Sequence, residues 1–148
     1  MSEIRVRCAA LIRNAAKNQL LLMKHRKNNR EYWVVPGGGQ EFGETQQECL
    51  ERELMEEMSI KISVHRLIFM NESIQPDGKR HIVNLYYECD WLSGEIVLGD
   101  EERLAGWQFF STEDLSDLKI YPHLHSELVE YMRNGMVVPT YRTVPWTE

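Results

Sequence analysis

Residues 4–12, IRVRCAALI, open with alternating polar and apolar positions and close in a continuous apolar run, the pattern of a partly buried strand. Residues 14–18 read as a turn and residues 20–23, LLLM, as a second buried strand, so the two predict a hairpin. A basic, polar connector over 24–30 leads to a third strand-like run, YWVV, at 32–35. After a glycine-rich turn the apolar spacing changes from two to about four, with Leu50, Leu54 and Met58 on one helical stripe. Strand patterns return at 61–70, 81–89 and 107–110, with turn signals at 75–78 and at 92–94, the latter leading into the apolar stretch 95–98. Cap residues at 111–115 start a short helix, and 122–133 reads as a closing helix stopped by Asn134-Gly135. This order predicts an α/β fold with a mixed β-sheet flanked by helices. With no repeat, low-complexity stretch or linker, residues 1–148 read as one domain.

The formal charge of −6 argues against a general nucleic-acid-binding surface, which would be basic. It leaves open a phosphorylated small molecule, because bound cations reverse the local sign. The longest apolar run, Cys8-Ala9-Ala10-Leu11-Ile12, is far shorter than a membrane span, and no signal-like segment precedes it. Three cysteines (Cys8, Cys49, Cys89) lack metal-ligand spacing and fall in strand or helix segments. Buried free thiols in a reducing cytoplasm are the expectation.

Residues 37–60, GGGQEFGETQQECLERELMEEMSI, concentrate the chemistry. Thr45 with Glu48 three residues on forms a capping box, placing the helix start near Thr45. Glu53, Glu56 and Glu57 share one narrow arc beside the apolar stripe. By themselves these glutamates fit a solvated face laced by Glu48–Arg52 and Arg52–Glu56 pairs. The spacing of the whole stretch points elsewhere.

Gly38, Glu44, Arg52-Glu53-Leu54, Glu56-Glu57 and Ile60 closely resemble the Nudix box, GX5EX7REUXEEXGU with U aliphatic. Eight of its nine specified positions match, and Ser59 stands where the family has glycine. The resemblance implies a Nudix-type α/β/α sandwich and hydrolysis of a pyrophosphate link in a nucleoside diphosphate joined to another group. It implies Mg2+, with Mn2+ as an alternative, held by Glu53, Glu56 and Glu57. Arg52 and Glu44 become an orienting ion pair, with Glu44 a further candidate ligand, and Gly37, Gly38 and Gly39 let backbone pass close to the site. Mg2+ chemistry suits these residue types, since the ion takes oxygen ligands and keeps several waters.

Outside the box, Arg26 is the candidate cation for substrate phosphates, against the alternative of a solvated connector. Family members often draw a further ligand or general base from a distant glutamate before an aromatic strand. Glu101 first, and Glu102 second, occupy that place ahead of Trp107. His65, His81, His123 and His125 read as polar surface or cap residues, and Trp33 as core. The tail 137–148 is expected to cover a sheet edge or a homodimer partner, with Tyr141 or Trp146 stacking on a base as the second reading. Pro76, sixteen residues after Ile60, resembles a placement in ADP-ribose-cleaving members. The favoured substrate is therefore ADP-ribose or a nucleotide sugar, with a (deoxy)nucleoside triphosphate as the alternative and a non-catalytic nucleotide sensor as the alternative of another class.

Overall fold

The computed structural model describes residues 3–147. Strands β1 (Ile4–Ile12), β2 (Leu20–Lys27), β3 (Arg30–Val34) and the short β4 (Gly37–Gly39) precede helix α1 (Gln46–Met58). Then come β5 (Lys61–Ile74), β6 (His81–Ser93) and β7 (Leu104–Phe110), followed by α2 (Thr112–Leu115), α3 (His125–Asn134) and β8 (Tyr141–Thr143). A five-stranded mixed sheet runs β4-β1-β6-β5-β8, and a second sheet runs β3-β2-β7. In the mixed sheet β1 lies parallel to β6 and β8 parallel to β5, while β4–β1 and β5–β6 are antiparallel.

The apolar run of β1 shows why the layers form. Ala9 and Leu11 pack in one cluster with Leu128 and Tyr131 of α3, and Cys8, Ala10 and Ile12 in another with Leu50, Leu54 and Met58 of α1. A strand covered by helices on both faces has no polar face to show, so its alternation disappears. The result is an α/β/α arrangement with a mixed sheet at its centre. All three cysteines are buried free thiols. No helix among the described residues is long and apolar enough to cross a membrane.

Two expectations about the strands before the box need correcting. The turn after β1 exists, with Asn14 Oδ1 accepting from the amides of Asn18 and Gln19, but β1 and β2 share only the single bridge Arg13–Leu20. They then part into different sheets, because each is buried on both faces and takes two neighbours from elsewhere in the chain. The hairpin belongs instead to β2 and β3. The supposed basic connector is the end of β2 plus a two-residue turn, Asn28-Asn29, with φ of 52° and 62°. Asparagine tolerates that left-handed region better than most residues, and paired positive φ matches the right-handed twist of a hairpin.

Residues 95–98, which follow the turn after β6, belong to no strand or helix. They run across the end of α1, where the amides of Val97 and Gly99 donate to the carbonyls of Met58 (3.1 Å) and Glu57 (3.0 Å). Two carbonyls that the helix leaves open are thereby satisfied. The closing helix starts at His125, three residues later than the pattern suggested.

Candidate active site

Helix α1 is fixed at both ends. The Glu48 amide donates to Thr45 Oγ1 (3.1 Å) and the Thr45 amide to Glu48 Oε1 (2.9 Å), completing the capping box. At the other end Ser59 sits in the left-handed region (φ 62°, ψ 26°), and its hydroxyl donates to the Val97 carbonyl at 2.8 Å. Burial of Leu50, Leu54 and Met58 sets the roll of the helix. That roll turns Glu53 onto β4, where a side chain at Gly38 would run into its carboxylate and one at Gly37 would overlap the Cys8 carbonyl.

Arg52 ties the acidic edge together. Its guanidinium donates to both oxygens of Glu44 (2.6 and 3.1 Å), to Glu53 Oε1 (2.9 Å), to Glu56 Oε2 (3.4 Å) and to the Gly39 carbonyl (3.1 Å). The Arg52 pairing, helped by the Glu41 amide, holds the Glu44 carboxyl down at about 2. Glu44 is therefore an anion paired through both oxygens with Arg52. The box arginine in turn fixes Glu53.

Glu57, one helical turn beyond Glu53, is 2% exposed. Burial first, and the adjacent Glu53 carboxyl second, push it up to about 8. Its Oε1 has no hydrogen-bond partner, and Arg103 Nη2 lies 3.8 Å away. A buried carboxylate oxygen without a donor is costly unless something positive meets it. An all-oxygen donor set with one orphaned lone-pair site fits a hard divalent cation such as Mg2+.

Two adjoining hollows open beside these residues. The smaller, about 610 Å3, is bordered by Gly37, Gly38, Gly39 and Glu53. The larger, about 780 Å3, is bordered by His25, Tyr32 and Tyr121. Arg7, Arg80, Ile82 and Arg103 border both. Arg7 is braced by a bond from Nη2 to the Val35 carbonyl (2.8 Å), and the rings of Tyr32 and Tyr121 stack at 4.6 Å. The site thus has a glycine-lined, charged half and an aromatic half, with guanidinium groups where they meet.

The structure brings together Arg52, Glu44, Glu53 and the three glycines, with Glu56 at the exposed rim and Glu57 buried. Arg26 is not among them. It pairs with Glu31 across the β2–β3 hairpin, and alternation along β2 puts His25, not Arg26, against the larger hollow. Glu101 reaches the site at second hand, accepting from Arg103 Nε at 2.6 Å while the same guanidinium faces Glu57. His65 bonds Asp90, His81 bonds Glu72 and His125 bonds the Leu118 carbonyl. Sequence reading missed Arg7, Arg80 and Arg103 as site residues. The single available signal was Arg5 alternating with Arg7 on one strand face.

A family model described as the NUDIX domain matches residues 3–132. The chain belongs to the Nudix hydrolase family. It is 34% identical over 119 residues to an ADP-ribose pyrophosphatase of Methanocaldococcus jannaschii, covering 78% of this chain and 67% of that one. It is 32% identical over 90 residues to the NAD-capped RNA hydrolase NudC of Pectobacterium atrosepticum, covering 60% of this chain and only 33% of that protein. In fold it is similar to the solution structure of the E. coli ORF135 protein, with a TM-score of 0.75 at 22% identity over 93% of this chain and 95% of that one. As a Nudix hydrolase the protein acts on a nucleotide-linked phosphoanhydride.

Proposed function

We propose that this Nudix hydrolase is a metal-dependent pyrophosphohydrolase of the ADP-ribose or nucleotide-sugar type. The observation that carries the reading is the pair of joined hollows. A glycine-lined half beside Glu53 takes a pyrophosphate, and an aromatic half beyond the guanidinium groups has room for a nucleoside. The 34% identical ADP-ribose pyrophosphatase supports the same substrate class.

Each residue then has a task. Glu53 and Glu57 would hold Mg2+ or Mn2+, with Glu56 and Glu44 flanking them, and the ion would supply Lewis-acid stabilisation of phosphoryl charge and activation of water. Arg52 fixes the Glu53 carboxylate by direct donation. Gly38 leaves the space into which that carboxylate fits. Arg7, Arg80 and Arg103 neutralise the phosphates at the junction of the hollows. Glu101 acts as a positioning residue through Arg103. Tyr32, stacked on Tyr121, lines the half that takes the nucleoside.

Turnover of ADP-ribose, UDP-sugars, dinucleoside polyphosphates, nucleoside triphosphates and 8-oxo-dGTP, compared side by side with Mg2+, tests this. The expected result is the highest kcat/KM on ADP-ribose or a nucleotide sugar, with a nucleoside monophosphate among the products. A preference for triphosphates with release of pyrophosphate would overturn the substrate class. Absence of turnover on every compound would overturn the enzymatic reading in favour of a sensor.

A further inference from the structure

The family match ends at residue 132, yet the chain beyond it returns to the cleft. Strand β8 joins the mixed sheet parallel to β5, pairing Met70 with Tyr141, Asn71 with Arg142 and Glu72 with Thr143. It is bolted at several points. The Met70 amide donates to the Thr140 carbonyl (2.7 Å) and the Val144 amide to the Glu72 carbonyl (3.0 Å). Arg142 pairs with Glu127 and donates to the His123 carbonyl (2.9 Å), while the Tyr141 hydroxyl donates to Glu72. Val144 is buried. Two residues further on, Trp146 borders the larger hollow, with the Arg80 guanidinium 5.4 Å from its ring centroid.

We infer that Trp146 is a specificity-determining residue: the aromatic wall against which the base of the nucleotide stacks, delivered by a tail that lies outside the family-matched region. The inference rests on the nucleotide reading of the cleft given above. Three observations carry it. The pairing of β8 and its hydrogen bonds anchor the chain as far as Val144, two residues before the ring. It borders the hollow that already holds the other aromatic side chains of the cleft, Tyr32 and Tyr121. Arg80, which touches its ring, also borders the glycine-lined half, so one residue links the wall to the phosphate end. A base on an indole ring with an arginine beside it gains stacking that is tolerant of base identity. The chemical class of ligand is therefore a nucleoside phosphate, not a bare sugar phosphate.

The test uses the full chain and three variants: Trp146→Ala, Trp146→Phe, and removal of residues 145–148, which leaves β8 and Val144 in place. Binding of AMP and of ribose 5-phosphate is measured by calorimetry, and kcat and KM on ADP-ribose in parallel. AMP affinity should fall roughly 10-fold or more in the alanine and truncated proteins and stay within about 3-fold of the parent in the phenylalanine protein. Ribose 5-phosphate affinity should not move, and the ADP-ribose loss should appear in KM. Unchanged AMP affinity in the alanine protein, or an equal fall for both ligands, would overturn the inference, as would a parent protein that does not bind AMP. If the parent binds AMP through Trp146 but hydrolyses no nucleotide, the proposed function fails while the wall stands.

Discussion

The Glu53 carboxylate fills the space that a side chain at Gly38 would need. A turn and a helix that the chain separates by fourteen residues are thus fitted to each other with no room for a single methyl group. Gly38→Ala should therefore displace Glu53 and lower kcat by about 100-fold, the scale of a catalytic group misplaced by an ångström. Glu53→Gln should lower it on the order of 100- to 1,000-fold, as removal of a strong electrostatic stabiliser does. If Gly38→Ala turns over like the parent at saturating Mg2+, the packing of β4 on Glu53 is irrelevant to the chemistry.

On the proposed metal reading, adding Mg2+ should raise the parent's melting temperature and a chelator should reverse this, because an ion held at the Glu57 oxygen that lacks a hydrogen-bond partner would bind only the folded state. Glu57→Gln should abolish that response to Mg2+ without unfolding the protein. Differential scanning calorimetry with Mg2+ and with a chelator, on parent and variant, measures both. An equal Mg2+ response in the variant would take Glu57 out of the metal site.

His25 carries the clearest effect of pH on stability. Burial first, then the charges of Arg103 and Arg7, push its pKa down to about 4 from the usual 6.5. As pH falls below 6.5 the unfolded chain takes up this proton and the folded chain does not, until pH nears 4. Stability should therefore decline through that window by up to about 3 kcal/mol and be insensitive to His25 above it. The difference in unfolding free energy between the parent and His25→Gln, followed from pH 7.5 to 4, should show that slope. A flat difference would mean that His25 titrates normally.

Ser59 departs from the box and occupies the left-handed conformation that glycine usually supplies. Strain there is about 1–2 kcal/mol, but the hydroxyl bond to Val97 recovers about 1 kcal/mol. Ser59→Gly should thus change stability little, while Ser59→Ala keeps the strain and loses the bond. Urea denaturation should rank alanine below serine by about 1 kcal/mol. Alanine equal to serine would show that the hydroxyl contributes nothing.

Glu101 and Glu102 should behave differently. Glu101 holds Arg103 in front of Glu57. Glu101→Gln is expected to cut kcat or raise the Mg2+ requirement about 10-fold, within the range for a residue supporting a metal site. Glu102→Gln should do much less. Parallel Mg2+ titrations decide it, and equal behaviour of both variants and the parent would sever the loop from the site.

Legibility in the sequence followed the range of the interactions. The capping box at Thr45 and the arc of Glu53, Glu56 and Glu57 depend on neighbours within a few residues, and the pattern shows them. The parting of β1 from β2 depends on β6 and β7, far along the chain, and a local turn signal cannot report it. Arg26 shows how little is needed to mislead. Reading 24–30 as a loop hid the continuation of β2 to Lys27, and in a strand one residue of offset exchanges Arg26 for His25. Arg7, Arg80 and Arg103 meet only after three separate segments are placed, so no motif marks them.

The parallel pairing of β1 with β6, which joins Ile4 to His81, sets an order of events during synthesis. Until the sixth strand has left the ribosome, β1 lacks the partner that fixes it in the centre of the sheet. The box helix, complete by Met58, must wait for Leu85 and Cys89 of β6 to complete the cluster around its apolar stripe. Nascent chains arrested near residue 75 should accordingly be protease-sensitive and retained by chaperones, and protection should appear once the segment ending at Ser93 is free.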